Sequence, residues 1–142
     1  MKLHSRRPQN RLRGISPSAA AFFAGLLVLP ALASVRLAQL LDARLMVAYF
    51  GAVSAVTLFL YWRDKRSAED GTWRTPELTL HLTELFGGWP AAFIAQRVFR
   101  HKISKRSYQV AYWAIVAAHQ AAAFDFLYDW HYTRATLVLL QT

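Results

Sequence analysis

Three long apolar stretches dominate the chain, at residues 15–35, 45–62 and 108–128. Each is close to the roughly 20 residues that an α-helix needs to cross the hydrocarbon core of a bilayer. The first two contain no charged side chain, whereas a surface helix of a soluble protein has a polar face. A chain of 142 residues has too little interior to cover three such helices. The pattern therefore predicts an all-α integral membrane protein with three transmembrane helices.

A fourth apolar segment, residues 78–99, is interrupted by Gly87, Gly88 and Pro90. Glycine permits unusual backbone dihedrals and proline interrupts a helical hydrogen-bond ladder, so a break between two short helices is expected there. If the segment crossed the membrane, the basic stretch at 100–106 would lie on the opposite side from the other basic regions. We therefore predict a re-entrant or interfacial helical hairpin. A complete fourth span is the alternative.

The charge distribution predicts the orientation. The net charge is +9, and most of the 17 Lys and Arg residues lie before the first span, after the second or before the third. Cytoplasmic loops are enriched in Lys and Arg. The N-terminus and the region 63–107 are therefore expected on the cytoplasmic side, and the turn 36–44 outside.

These boundaries describe a single membrane domain, residues 1–142, with a basic cytoplasmic tail at 1–14, the three transmembrane helices and a motif region at 63–107. The first span ends in an Ala-x-Ala pattern like that of a cleaved signal peptide. Its apolar run is longer than the apolar region of a typical signal peptide, so we expect an uncleaved membrane anchor. The chain has no cysteine, which excludes disulfides and thiolate metal sites.

The motif region opens with a charged turn from residue 63, and a helix is expected to begin near Pro76. On that helix Glu77, His81 and Glu84 have the i, i+4, i+7 spacing of one helix face. With His101 from the following arm, they are the candidate catalytic residues of an acid–base site. The alternative is a polar stripe that pairs with neighbouring cations. We predict no metal and no cofactor, because one helix supplies only three ligands.

Basic residues around the hairpin are the candidate binding site for an anionic headgroup or an acidic protein partner, because Arg and Lys bind such groups well. They could instead only fix the topology. Nucleic acid is not expected as a partner, because few aromatic side chains are interleaved with them. The candidates are Arg74, Arg97, Arg100, His101, Lys102 and Lys105.

Two ionisable residues, His119 and Asp125, lie within the third span. Such residues usually face the interior of a bundle and indicate a function. His119 could equally form one hydrogen bond to a neighbouring helix, and Asp125 could extend outward. A transporter that uses this pair would require an oligomer, because three spans enclose little space.

Four short motifs occur in order between Tyr61 and about Tyr112: "YWRDKRSA", "WRTPELTLH", "GGWPAAFIAQ" and "RHKISKRSY". This segment resembles the DUF1294 family of small bacterial membrane proteins. The resemblance implies a location in the bacterial inner membrane and no particular chemistry, because the family is named for its unknown function. Many relatives have a cold-shock-like nucleic-acid-binding domain in front. This chain has only a basic tail of about 14 residues there, which weakens any carry-over of RNA binding.

The sequence thus favours a non-enzymatic accessory factor of the inner membrane that contacts anionic lipid or an acidic partner. A small membrane enzyme acting on a lipid headgroup is the alternative, and a transporter component is a third hypothesis. Membrane lipids are the expected partners, and a protein partner or a homo-oligomer is left open.

Overall fold

The computed structural model of the chain describes residues 15–73 and 75–140. Within these ranges every regular element is helical, which confirms the predicted all-α fold. A π-helical turn at Glu84–Gly88 joins the third helix to the fourth. The α-helices are α1 (Pro17–Leu37), α2 (Ala43–Asp70), α3 (Glu77–Thr83), α4 (Trp89–Phe99), α5 (Arg106–Leu127) and α6 (His131–Leu140).

Helices α1, α2 and α5 are long and apolar enough to cross a membrane. The first and the last of them run in the same direction. Phe22, near the start of α1, contacts the ring of Trp113 in α5, and Arg36, near the end of α1, donates to the Phe126 carbonyl. Because α2 follows α1 through a short turn, it runs the opposite way. The N-terminal ends of α1 and α5 therefore lie beside the C-terminal part of α2, which we call the Asp64 end of the bundle.

Helices α3 and α4 form a re-entrant hairpin, as predicted. Thr75 precedes α3 and His101 follows α4, and both donate hydrogen bonds to the Asp64 carboxylate. At the tip, a Cβ built on Gly87 would lie 3.1 Å from the Phe50 ring. Phe50 lies about 21 Å from Asp64 along α2, at 1.5 Å per residue. The segment therefore runs along α2 as far as Phe50 and returns to the same end, which is the geometry of a hairpin and not of a fourth span.

The backbone breaks at the tip of the hairpin, where Phe86 and Gly87 leave helical geometry and Gly87 has φ 101°. Glycine is suited to this region because it lacks a Cβ. Irregular backbone at membrane depth is tolerated only where protein or a water-filled cavity covers it. The Tyr49 hydroxyl of α2 donates to the Phe86 carbonyl at 2.9 Å, which satisfies a group that the break releases.

Two helical segments differ from the sequence predictions. The expected charged turn from residue 63 is wrong, because α2 continues to Asp70 and ends at Gly71 in the left-handed conformation. The i,i+4 pair of Lys65 with Glu69 lies along this extension.

Helix α6 was not predicted. Asp125 accepts hydrogen bonds from the first-turn amides of Tyr132 and Thr133 and so caps that helix.

The core lies between α2, the hairpin and α5. Its fully buried aromatic members include Tyr61, Phe93, Tyr108 and Tyr112. Helix α1 has no buried residue and packs from outside, with Phe23 stacked on Phe93 at 4.6 Å between ring centroids. The hairpin is thus held on two sides by spans, and its polar residues are enclosed with it.

Candidate functional site

A buried carboxylate, Glu84, lies at the centre of the core and has no solvent exposure. Its Oε1 atom accepts hydrogen bonds from the Tyr61 hydroxyl at 2.5 Å and the Tyr108 hydroxyl at 2.6 Å. Its Oε2 atom lies 2.7 Å from His81 Nδ1. Both carboxylate oxygens of Glu84 therefore have hydrogen-bond partners, as a buried polar group requires. The contacts join the hairpin to both α2 and α5.

Two glutamines extend this arrangement toward the Asp64 end. Gln96 Nε2 donates to the Tyr61 hydroxyl at 3.1 Å, and Gln109 Nε2 donates to Gln96 Oε1 at 2.7 Å. Among the residues that the structure describes, no buried side-chain nitrogen or oxygen lacks a hydrogen-bond partner. A completely satisfied buried network rigidifies a core. We call this network the Glu84 cluster, and it comprises Tyr61, His81, Glu84, Gln96, Tyr108 and Gln109.

A second cluster lies at the Asp64 end, where the two flanks of the hairpin meet α2. The buried Asp64 accepts from His101 Nε2 at 2.6 Å and lies 3.4 Å from Lys102 Nζ. Lys102 and Lys105 each approach the Glu77 carboxylate to 2.8 Å. Lys102 therefore bridges two acids, and the loop after α4 is fixed to both α2 and α3. We call these five residues the Asp64 cluster.

The ammonium groups of the Asp64 cluster perturb Glu77. Hydrogen bonds from Lys102 and then Lys105 hold the pKa of the Glu77 carboxyl below its ordinary value. A carboxyl whose pKa is lower in the folded state adds stability above its unfolded pKa. That contribution disappears as the pH falls from the ordinary glutamate range through the folded pKa. Glu77 is therefore ionised at neutral pH and acts as the anion of this cluster.

The four candidate catalytic residues are divided between the two clusters. Glu77 and His101 line one surface cavity of about 360 Å³ at the Asp64 end. Glu84 is enclosed in the core with His81 beside it. Within residues 15–73 and 75–140, no group of three or more acidic, His or Cys side chains is arranged to hold a metal ion.

The candidate binding residues differ in how they are paired. His101, Lys102 and Lys105 contact the acids of the Asp64 cluster. The Arg97 guanidinium lies 3.3 Å from the centroid of the Phe93 ring. Arg100 is exposed, with no carboxylate beside it in the described parts of the chain. Arg74 lies outside the described residues.

The sequence candidates did not include Tyr61, Asp64 or Tyr108, although all three are in the motifs quoted for the resemblance. Their presence in those motifs was the only sequence signal for them, because their partners lie on other helices.

His119 donates from Nδ1 to the Ile115 carbonyl, so its ring is fixed by its own helix. Asp125 caps α6.

Comparison with known proteins gives one match. The family model "Protein of unknown function (DUF1294)" matches residues 54–108. No curated protein and no solved structure matches the chain. The matched segment runs from the middle of α2 through the hairpin to the start of α5, and it contains both clusters except Gln109. Residues 54–108 are therefore similar to the DUF1294 family, in agreement with the resemblance of the four sequence motifs.

Proposed function

We propose that this is an accessory protein of the bacterial inner membrane that binds anionic phospholipid headgroups at the Asp64 end of its bundle. One observation is central to the proposal. Four exposed arginines at this end have no carboxylate partner among the residues that the structure describes. They are Arg63, Arg66, Arg100 and Arg106.

Three of the other described cations at this end are paired with acids. Lys65 lies 3.7 Å from Glu69, and Lys102 and Lys105 are bound to Glu77. The exposed Asp70 offsets one further positive charge. The four arginines therefore supply the positive charge that remains for a ligand. A guanidinium binds a phosphate through two parallel hydrogen bonds, which suits a phospholipid headgroup.

Aromatic side chains support a position at the membrane surface. Trp73 is 89% exposed and Trp62 is 42% exposed. The Arg66 guanidinium lies 5.3 Å from the centroid of the Trp62 ring. Tryptophan is enriched at the level of lipid headgroups, and basic side chains near it attract the anionic lipids of the cytoplasmic leaflet. The positive-inside rule supports the same side for this end of the bundle.

The Asp64 cluster has a supporting part in this proposal. Arg100 ends α4 in the left-handed conformation with φ 50°, and Arg106 begins α5. Between them, Lys102 and Lys105 fix the loop to Glu77. The spacing of Arg100 and Arg106 is therefore set before a lipid binds. This reduces the conformational entropy that is lost on binding.

The proposal is tested by lipid-selective quenching of tryptophan fluorescence. The full chain is reconstituted in phosphatidylcholine vesicles that contain brominated phosphatidylglycerol, and then in vesicles with brominated phosphatidylcholine. We expect the wild type to prefer phosphatidylglycerol. Changing Arg63, Arg66, Arg100 and Arg106 to glutamine is expected to lower that preference at least about tenfold, since each basic residue near the surface contributes about 1 kcal/mol.

The matched control changes Arg44 and Arg134, which lie away from the Asp64 end, to glutamine. This variant should keep the preference of the wild type. Absence of any preference in the wild type, or an equal preference in the four-arginine variant, would contradict headgroup binding at this surface.

A further inference from the structure

An apolar cavity lies on the far side of the hairpin tip from the Asp64 end. It has a volume of about 570 Å³ and is bounded by α1, α2, α5 and the tip itself. Leu27 and Pro30 of α1, Phe50 of α2 and Trp89 at the tip are among the side chains that line it. Pockets of roughly 300–1,000 Å³ with mainly apolar walls are typical of sites for small molecules.

The cavity continues sideways between α1 and α2. A second hollow of about 550 Å³ adjoins it and shares Ser34, Phe50 and Ser54 with it. Helix α1 packs against α5, whereas α2 packs against the hairpin. A Cβ built on Gly51 in α2 would meet no atom within 4 Å. The space between the two helices is therefore open to the hydrocarbon region of the bilayer.

Three polar side chains face the main cavity and retain hydrogen-bonding capacity. His119 Nδ1 donates to the Ile115 carbonyl at 2.9 Å, so Nε2 of the neutral ring has a free lone pair. Among the described residues, the one hydrogen bond of the His119 ring is that from Nδ1, and the side-chain hydroxyls of Ser34 and Ser54 make none. The wall of the cavity thus offers an acceptor and two hydroxyls within an apolar enclosure.

We propose that this cavity binds a single-chain amphiphile with a free hydroxyl group, of the class of long-chain alcohols. The hydroxyl donates to His119 Nε2, and the chain occupies the hollow between α1 and α2. A donor is required because Nε2 only accepts. No charged side chain lines either hollow, so an ionic headgroup would find no partner there. An uncharged hydroxyl at the end of an apolar chain satisfies both conditions.

Two tryptophans that line the cavity, Trp89 and Trp130, make binding visible as fluorescence quenching. The probes are dibrominated stearyl alcohol and its methyl ether, added to the full chain in phosphatidylcholine vesicles. The ether has the same chain but no donor. We expect saturable quenching by both, with half-saturation at about five- to tenfold lower concentration for the alcohol, which is the effect of one hydrogen bond.

Two variants test whether the quenching arises from binding in this cavity. His119→Phe should abolish the difference between the probes, and Ala122→Phe should reduce saturable quenching by both because it fills the cavity. Equal, unsaturable quenching of the wild type by both probes would show simple partitioning into the bilayer and overturn the proposal. That comparison needs no variant. The four-arginine variant should retain the preference for the alcohol, so failure of headgroup binding leaves this result unaffected.

Discussion

Replacing Glu84 with alanine is expected to lower the free energy of unfolding by about 3 kcal/mol, since it leaves several buried donors without an acceptor. Tyr61 and Tyr108 both donate to Glu84 Oε1, and His81 Nδ1 contacts Oε2. Bulk water does not reach these donors, because Glu84 has no solvent exposure. Reversible unfolding of the purified protein in mixed detergent micelles measures the change.

Two comparisons make the Glu84 result specific. Glu84→Gln keeps an acceptor oxygen for both tyrosines, and its NH2 group can donate to His81 Nδ1 in the other neutral tautomer, so its cost should be smaller, about 1 kcal/mol. Asp70→Asn removes an exposed carboxylate and should change stability by less than about 0.5 kcal/mol. If Glu84→Ala behaved like Asp70→Asn, the Glu84 cluster would not stabilise the hairpin.

A methyl group at Gly88 is the second change with a large expected effect. A Cβ there would lie 2.2 Å from Thr57 Oγ1 and 2.6 Å from the Thr83 carbonyl oxygen. Gly88→Ala must therefore push the hairpin away from α2. We expect a loss of about 3 kcal/mol, at the upper end of the cost of overpacking. The same unfolding measurement tests it.

Gly51→Ala is the matched control, because a Cβ at Gly51 meets nothing within 4 Å. It should be neutral or slightly stabilising, since alanine has the higher helix propensity. Gly88→Ala combined with Thr57→Ala should recover only part of the loss, because the Thr83 carbonyl remains in place. Equal stability of the two glycine variants would contradict the close approach of α2 to the hairpin.

The spans and the hairpin could be predicted because their signals are local. An uncharged run of about 20 residues is sufficient for a span, and Gly87 with Gly88 and Pro90 is sufficient for a break. Helix α6 was missed because its cap, Asp125, lies at the end of the preceding span. The helical extension of α2 was missed because the charges after Trp62 were interpreted as a turn.

The candidate site was harder to predict, since its residues meet only after folding. Asp64 lies on α2 and its partner His101 follows α4. The sequence indicated how many cations follow the hairpin, but it could not show that Lys102 and Lys105 form ion pairs with Glu77. Pairing depends on distances across three helices, and no periodicity along one segment encodes it.

The re-entrant hairpin is tested most directly by finding the side of the membrane on which each of its two flanks lies. The chain has no native cysteine, so single cysteines can be introduced at the exposed positions Thr72, Ser104 and Leu41. A membrane-impermeant maleimide is then added to intact cells and to lysed cells. We predict that Thr72→Cys and Ser104→Cys label only after lysis, and that Leu41→Cys labels in intact cells. Labelling of Thr72→Cys and Ser104→Cys from opposite sides would show a fourth span and contradict the fold described above.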